Sequence, residues 1–248
     1  MTNADGSGSA PTAPTAAAAT SPRRRRLSLH PLGWAPMVAR WALALFLGAT
    51  VAMVVLGITR IAELSDERAS TPIAEVPDRF VDVRGALAAL AAVTFVLTAV
   101  AWIVALWRMA KNGGEIWPSR ARLGSIWAVV GWVIPVASVV LPYLVTVQTW
   151  DTSRSRREVR DYERAPGYVL PWWIGWVLLT VVDRGRGAVL GEPSTQGDLL
   201  RQEQVDLVVG IGYLLIGALF LALQRALVRR HEEAIADPWD APVLSSRR

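Results

Sequence analysis

Five long runs without a charged residue constrain the fold of this 248-residue chain more than any other feature. A helix needs about 20 apolar residues to cross the hydrocarbon core of a bilayer, which is roughly 30 Å thick. The runs are Trp41–Thr59, Ala86–Trp107, Leu123–Trp150, Pro166–Val182 and Leu207–Gln224. Their repetition predicts an all-α, multi-pass membrane protein, in agreement with a 52% hydrophobic composition and a mean hydropathy of +0.32.

The 28-residue run Leu123–Trp150 decides the predicted topology, because Pro135 and Pro142 interrupt it. If it crosses once, five crossings with the N-terminus inside put 12 Lys and Arg residues inside and 14 outside. If it enters and leaves on one side, the inside segments hold 19 and the outside segments 7. Cytoplasmic loops normally carry the excess of basic residues. The count favours four transmembrane helices plus a re-entrant hairpin, with both termini cytoplasmic, over five transmembrane helices.

Local geometry also favours the hairpin. Each proline removes a backbone N–H and clashes with the preceding turn. A first helical arm over residues 123–134 would be about 18 Å long, too short to cross. Pro142 suits the first turn of the second helix, and Ser138 is placed to satisfy the interrupted backbone. One kinked and tilted helix is the alternative, since membrane helices tolerate proline.

The ionisable residues leave little room for catalysis. None of the five runs contains Asp, Glu, Lys, Arg or His, the usual marks of a proton relay or an intramembrane active site. The chain has no cysteine, which excludes thiolate chemistry. His30 and His231 are isolated in sequence and predict surface positions, and the sequence after His231 lacks the second histidine of a zinc protease motif. We predict a non-enzymatic protein without a cofactor or metal.

Two groups of arginines flank the membrane segments on the predicted cytoplasmic side. They are candidate contacts for anionic lipid headgroups, at about 1 kcal/mol for each basic residue near the surface. The groups are Arg23, Arg24, Arg25 and Arg26, and Arg154, Arg156 and Arg157. The alternative is that they only fix the topology. Because basic residues occur in every loop and not on one face, the chain lacks the pattern of a nucleic-acid-binding protein.

Three regions are predicted. Residues 1–33 form a basic tail with nothing to bury, which predicts disorder. Residues 34–230 form the helical membrane domain, and residues 231–248 form a flexible tail. The predicted helices cover about 36–59, 86–108, 166–183 and 206–228, with the hairpin at 123–150.

Tryptophan-rich helix ends and paired prolines form a pattern between Val100 and Trp176. Its members are Trp107, Arg108, Ala110, Asn112, Gly131, Trp132, Ile134, Pro135, Leu141, Pro142, Tyr143, Trp150, Pro171, Trp172 and Trp173. This pattern resembles the bacterial membrane family called domain of unknown function 4328. Ala137 and Ser138 depart from the asparagine that the family tends to carry after its first proline, and Leu144 lies in a stretch that is often basic. The resemblance implies location and architecture, and no catalytic residues.

The predicted function is binding of lipids or of a protein partner at the cytoplasmic face of the bacterial cytoplasmic membrane. A transporter or channel subunit that uses the hairpin is the second hypothesis. The third is an interfacial enzyme that acts on lipid, which requires loop arginines and acids to assemble at the interface, for instance Arg154 and Glu158 with Glu115.

Overall fold

The computed structural model describes residues 29–65, 80–154 and 165–236. Its helices are α1 (Ala35–Ser65), α2 (Val81–Ile116), α3 (Trp127–Val130), α4 (Ala137–Thr152), α5 (Val169–Leu190) and α6 (Gln196–Ala236). These ranges contain no β-strand, so the all-α prediction is confirmed for them. Three helices, α1, α2 and α6, are long and apolar enough to span a membrane. α5 carries Asp183, Arg184 and Arg186 in its C-terminal part, which shortens its apolar stretch.

The long helices extend beyond the uncharged runs that predicted them. α2 continues to Ile116 and not only to 108, and α6 covers 196–236 and not 206–228. Charged residues such as Arg and Glu end a hydrocarbon-compatible stretch but are good helix formers. At 1.5 Å per residue, α6 is about 60 Å long, twice the thickness of the hydrocarbon core. Residues 231–236 therefore continue a helix and do not belong to a flexible tail.

Large apolar side chains are exposed along the outer faces of the bundle. On α1, Val51 and Val55 are 47% and 53% exposed, and on α2, Val93 and Val96 are 59% and 57% exposed. Contiguous apolar surface of this kind is rare in soluble monomers and marks contact with a membrane or a partner. The exposed faces agree with helices that are surrounded by lipid.

The helices α1, α2, α5 and α6 run alternately between two ends of the bundle. We call the end where α1 begins the proximal end and the opposite one the distal end. At the distal end, Gln196 Nε2 donates to Leu64 O at 2.7 Å, which joins the start of α6 to the end of α1. Arg84, near the start of α2, forms a bidentate ion pair with Glu203 of α6 at 2.5 and 2.6 Å. α6 also packs against α5.

The segment with α3 and α4 folds back on itself and has both ends near the proximal end. The Leu123 N–H donates to Gln148 Oε1 at 2.7 Å, and Gln148 Nε2 donates to Leu123 O at 2.9 Å. These residues are 25 positions apart but adjacent in space. The two arms also pack closely at Gly131, where an added Cβ would lie 2.9 Å from Leu141 Cβ. The uncharged run is therefore not one continuous helix.

The first arm differs from the predicted 12-residue helix. Only Trp127–Val130 is α-helical, and turns follow as far as residue 136. Pro135 has no N–H to donate and disfavours the helical conformation in the residue before it. The arm consequently forms one helical turn followed by a sequence of turns.

The second helix begins before Pro142, which lies inside α4 and not in its first turn. Pro142 cannot donate a hydrogen bond to the preceding turn. The carbonyl of Val139 lies in the turn before Pro142. It accepts a hydrogen bond from the Trp173 indole N–H of α5 at 2.8 Å, which supplies that turn with a donor. As predicted, Ser138 satisfies the interrupted backbone, because its hydroxyl donates to Pro135 O at 2.7 Å.

Candidate functional site

A cleft of about 520 Å³ lies between α2 and α5, on the distal side of the hairpin tip. Trp132 and Pro135 of the turn and Ser138 and Val139 of α4 form its floor. α1 and α6 contribute to its walls, and the cleft extends along α5 to Arg184. The cleft exists because the hairpin turns back before it reaches the distal end. The space between α2 and α5 beyond the tip is therefore left unfilled.

Eight aromatic rings of the described residues line this cleft. They are Phe46, Phe95, Trp102, Trp132, Trp172, Trp176, Tyr213 and Phe220. The rings also pack on one another: Trp172 and Phe220 are stacked with centroids 5.1 Å apart, and Phe95 and Trp176 with centroids 5.5 Å apart. Such pairs contribute about 0.5–1.5 kcal/mol beyond their burial. The mutual packing holds the rings in place, so the wall is rigid and apolar.

Polar groups are few in the cleft. Thr98 donates its hydroxyl hydrogen to Thr94 O at 2.7 Å, within its own helix. The Trp102 side chain is 1% exposed, and its indole N–H has no hydrogen-bond partner in the part of the chain that the structure describes. Of the described residues that line the cleft, only Arg184 carries a charge. The cleft is therefore apolar along its length and carries one positive charge at its distal edge.

One face of α5 provides the length of the cleft. Trp172, Trp176, Thr180 and Arg184 follow each other at intervals of four residues, and all four line the cleft. At 1.5 Å per residue the distance along the helix from Trp172 to Arg184 is about 18 Å. Half of a 30 Å hydrocarbon core is roughly 15 Å. The cleft thus extends along most of the uncharged part of α5 and is slightly longer than half the thickness of the hydrocarbon core.

A second group of polar side chains lies at the proximal end. Asn112 of α2 accepts the His30 N–H on Oδ1 at 2.8 Å and donates from Nδ2 to His30 O at 2.8 Å. Its Nδ2 also lies 3.0 Å from His231 Nε2, and His231 Nδ1 lies 2.8 Å from Ser153 Oγ. Asn112, Ser153 and His231 are fully buried. We call these four residues the polar layer, and it joins the segment before α1 to the ends of α2, α4 and α6.

The hydrogen bonds of the polar layer assign the tautomer of His231. Both contacts with His30 fix the orientation of the Asn112 amide, so Nδ2 donates to Nε2 and that nitrogen carries no proton. The remaining ring proton lies on Nδ1 and is donated to Ser153 Oγ. Ser153, His231 and Asn112 are residue types that can serve as nucleophile, base and orienting group. Because Nδ1 of His231 already carries a proton, it has no lone pair to take the Ser153 proton. The arrangement is a structural clamp.

The charge state of His231 agrees with this assignment. The residue lies beyond Gln224, the last residue of the uncharged run of α6, and so outside the hydrocarbon-spanning stretch. Burial lowers the pKa of His231 to about 4, which keeps the imidazole neutral at pH 7. The prediction that His231 is an isolated surface histidine is wrong. Its side-chain partners lie 78 and 119 positions away, where no local motif could reveal them.

The family model described as domain of unknown function (DUF4328) matches residues 65–233, which is more than half of the chain. The chain belongs to this family. The match is longer than the resemblance between Val100 and Trp176, and it includes the hairpin, α5 and the three polar-layer residues after His30. No curated protein and no solved structure matches the chain. Membership in DUF4328, together with the three apolar helices, indicates an integral membrane protein.

Part of the pattern of tryptophans and prolines between Val100 and Trp176 lies at the hairpin and the cleft. Trp132, Pro135 and Trp172 line the cleft, and Trp173 packs edge-on against Trp132 with centroids 5.8 Å apart. Gly131, Pro142 and Tyr143 belong to the hairpin itself, with Tyr143 packed against the buried cluster that includes Trp172 and Trp173. Pro171 occupies the first turn of α5, where a missing N–H costs little.

The other part of the pattern lies at the proximal end. Arg108 donates to Leu32 O at 2.7 Å, beside the Asn112 contacts with His30. The Trp107 ring lies under the Lys111 ammonium at 5.5 Å. The Trp150 ring lies under the Arg230 guanidinium at 4.6 Å, a distance typical of a cation–π contact. These contacts hold the chain before α1 and the end of α4 against α2 and α6.

The predicted headgroup contacts are mostly outside the described residues. Arg154 is described, but its side chain is 2% exposed and forms an ion pair with Asp151 at 2.5 Å. Its charge is directed into the protein, which corrects the expectation of headgroup contact for this residue. Arg23, Arg24, Arg25, Arg26, Arg156, Arg157 and Glu158 lie outside the described ranges. Their contacts, including the assembly of Glu158 with Glu115 and Arg154, stay predictions.

Proposed function

We propose that this protein is a non-enzymatic lipid-binding protein of the bacterial cytoplasmic membrane that holds hydrocarbon of one lipid molecule in the aromatic cleft. The cleft is the observation that carries the proposal. Its volume of about 520 Å³ lies within the range of roughly 300–1,000 Å³ that is typical of ligand pockets. Its packed rings form a site that exists before the lipid binds, unlike the mobile surface that surrounds any membrane helix.

The proposed topology is four crossings by α1, α2, α5 and α6, with a re-entrant hairpin and both termini cytoplasmic. The contact between Leu123 and Gln148 and the excess of basic residues on one side support it. The uncharged part of α5, Val169–Val182, is only about 21 Å long. Long basic side chains after it can extend to the headgroup region, which accommodates a short span. In this topology the proximal end is cytoplasmic, and Arg184 at the distal edge of the cleft lies on the opposite side of the membrane.

The floor of the cleft favours binding over conduction. Trp132 of the floor packs against a buried apolar cluster that includes Trp172 and continues toward the proximal end through Trp173 and Leu223. A conduit for a polar solute would need polar groups along this path. The tautomer of His231 likewise argues against hydrolytic chemistry at Ser153. A protein partner at the cytoplasmic face stays a further expectation from the sequence.

We expect a photoreactive acyl chain to crosslink to the cleft face of α5 in the purified protein in lipid nanodiscs. The probe is a phospholipid with a diazirine in its acyl chain, and crosslinked peptides are identified by mass spectrometry. Ala99 lines the cleft, and Ala99→Phe should reduce crosslinking at Trp176 and Thr180 severalfold because the added ring occupies the same volume.

The matched control is Ala89→Phe, an exposed position on the same helix outside the cleft lining. It should leave crosslinking at α5 unchanged. Crosslinking at Trp176 no stronger than at the exposed Val93, or equal in both variants and the wild type, would contradict the proposed function.

A further inference from the structure

We infer that the lipid in the cleft is an anionic phospholipid whose phosphate binds Arg184 at the distal end. The inference rests on the proposed function and adds the charge class and the orientation of the lipid. The acyl chain lies along the stripe from Thr180 to Trp172, and its end reaches the hairpin tip.

Arg184 is at the position that a headgroup requires. It is the distal member of the four-residue stripe on α5, and its side chain is exposed at the edge of the cleft. The remaining members of the stripe are two tryptophans and Thr180, whose hydroxyl donates to Trp176 O at 2.9 Å. A lipid that places its phosphate at Arg184 therefore meets no further charge between the headgroup and the floor, about 18 Å away.

The neighbouring carboxylates already have arginine partners. Asp183 lies 3.3 Å from Arg186, and Asp206 is also paired with Arg186. Glu203 is paired with Arg84. Arg184 itself forms no ion pair with an acid in the described ranges. The distal edge of the cleft consequently offers a guanidinium that is in no ion pair with a carboxylate of the described residues, although the acids of this end outnumber its bases overall.

This distribution of charge selects the headgroup. A guanidinium binds phosphate oxygens with two parallel hydrogen bonds, which an ammonium group cannot do in the same geometry. A zwitterionic lipid also has a phosphate, but the cationic amine of its headgroup lies close to that phosphate and opposes the attraction to Arg184. A phospholipid with net negative charge gains the contact with Arg184 without this opposing charge.

The experiment measures the binding of phosphatidylglycerol and phosphatidylethanolamine with identical acyl chains. The full chain is purified in a neutral detergent, and bound lipid is counted by native mass spectrometry during titration. The wild type should prefer phosphatidylglycerol by roughly tenfold, the loss expected for one charge-assisted contact. Arg184→Gln should abolish this preference, and Arg184→Lys should retain part of it.

Arg201→Gln is the matched control, because Arg201 is an exposed arginine of the same end that does not line the cleft. It should keep the preference, and all variants should keep the thermal midpoint of the wild type. Equal binding of both lipids, or an unchanged preference in Arg184→Gln, overturns the inference about the headgroup. In that case, crosslinks at Trp176 would still uphold the proposed function. If neither lipid crosslinks to the cleft face of α5, both proposals are overturned.

Discussion

Replacing Asn112 with alanine is expected to lower the free energy of unfolding by about 3 kcal/mol or more. The Asn112 side chain satisfies three groups, namely the His30 N–H, the His30 carbonyl and His231 Nε2. A buried polar group that loses its partner costs roughly 1–3 kcal/mol. The measurement is reversible unfolding of the purified protein in mixed micelles, followed by circular dichroism.

Thr59→Ala is a suitable control for Asn112→Ala. The Thr59 hydroxyl is exposed and donates only to Leu56 O in its own helix, so its loss should cost no more than about 0.5 kcal/mol. The double variant of Asn112→Ala with His231→Ala tests the contact itself, because residues in one network couple by about 0.5–3 kcal/mol. A change below about 0.5 kcal/mol for Asn112→Ala, or strict additivity with His231→Ala, would show that the polar layer is not a clamp.

Gly131→Val is expected to separate the two arms of the hairpin. A Cβ at Gly131 would lie 2.6 Å from Trp127 O and 2.9 Å from Leu141 Cβ, and neither atom is the end of a flexible side chain. Forcing extra atoms into such a contact costs roughly 1–3 kcal/mol, and here the backbone has to move. Once the arms separate, the hydrogen bonds between Leu123 and Gln148 should also be lost. The free energy of unfolding in mixed micelles reports the combined effect.

Gly124→Val provides the comparison for Gly131→Val. Gly124 lies in the same arm, and a Cβ there would meet only Ile126 Cγ2, at 4.0 Å. We expect this variant to be much closer to the wild type in stability. Equal destabilisation by the two substitutions would mean that the arms do not rely on close approach at Gly131.

The sequence predicted the apolar helices, which depend on the lipid environment. It did not predict the helix ends or the environment of His231, which depend on tertiary contacts. Uncharged runs identified α1, α2 and α6, because charged residues are excluded from hydrocarbon in nearly every membrane helix. The same rule gave wrong helix ends, since helices continue where charges begin. The burial of His231 is not visible in the sequence, because its neighbours Glu232 and Glu233 are typical of a solvated helix end and its partners come from α2 and from the residue after α4.

The cleft was only partly accessible to sequence reasoning. The four-residue spacing of Trp172, Trp176, Thr180 and Arg184 is visible in the sequence and indicates one helix face. Which face of α5 points inward is not visible, because a membrane helix is apolar all round and periodicity then carries little information. The cleft exists because the hairpin tip does not reach the distal end. How far the tip extends depends on where the helical turn of the first arm ends. Pro135 predicted the break but not the short helical turn before it.

Cysteine accessibility in intact cells tests the re-entrant hairpin most directly, because the chain has no native cysteine. Single cysteines replace Ser119 before the hairpin, Gly167 after it and Ser194 beyond α5, all exposed positions, and a Cβ at Gly167 meets no other atom. With an impermeant thiol reagent, we expect labelling only at position 194, and at 119 and 167 only after the membrane is permeabilised. Labelling of intact cells at 167, with 119 and 194 protected, would establish a full crossing between Arg122 and Asp151 and contradict the hairpin.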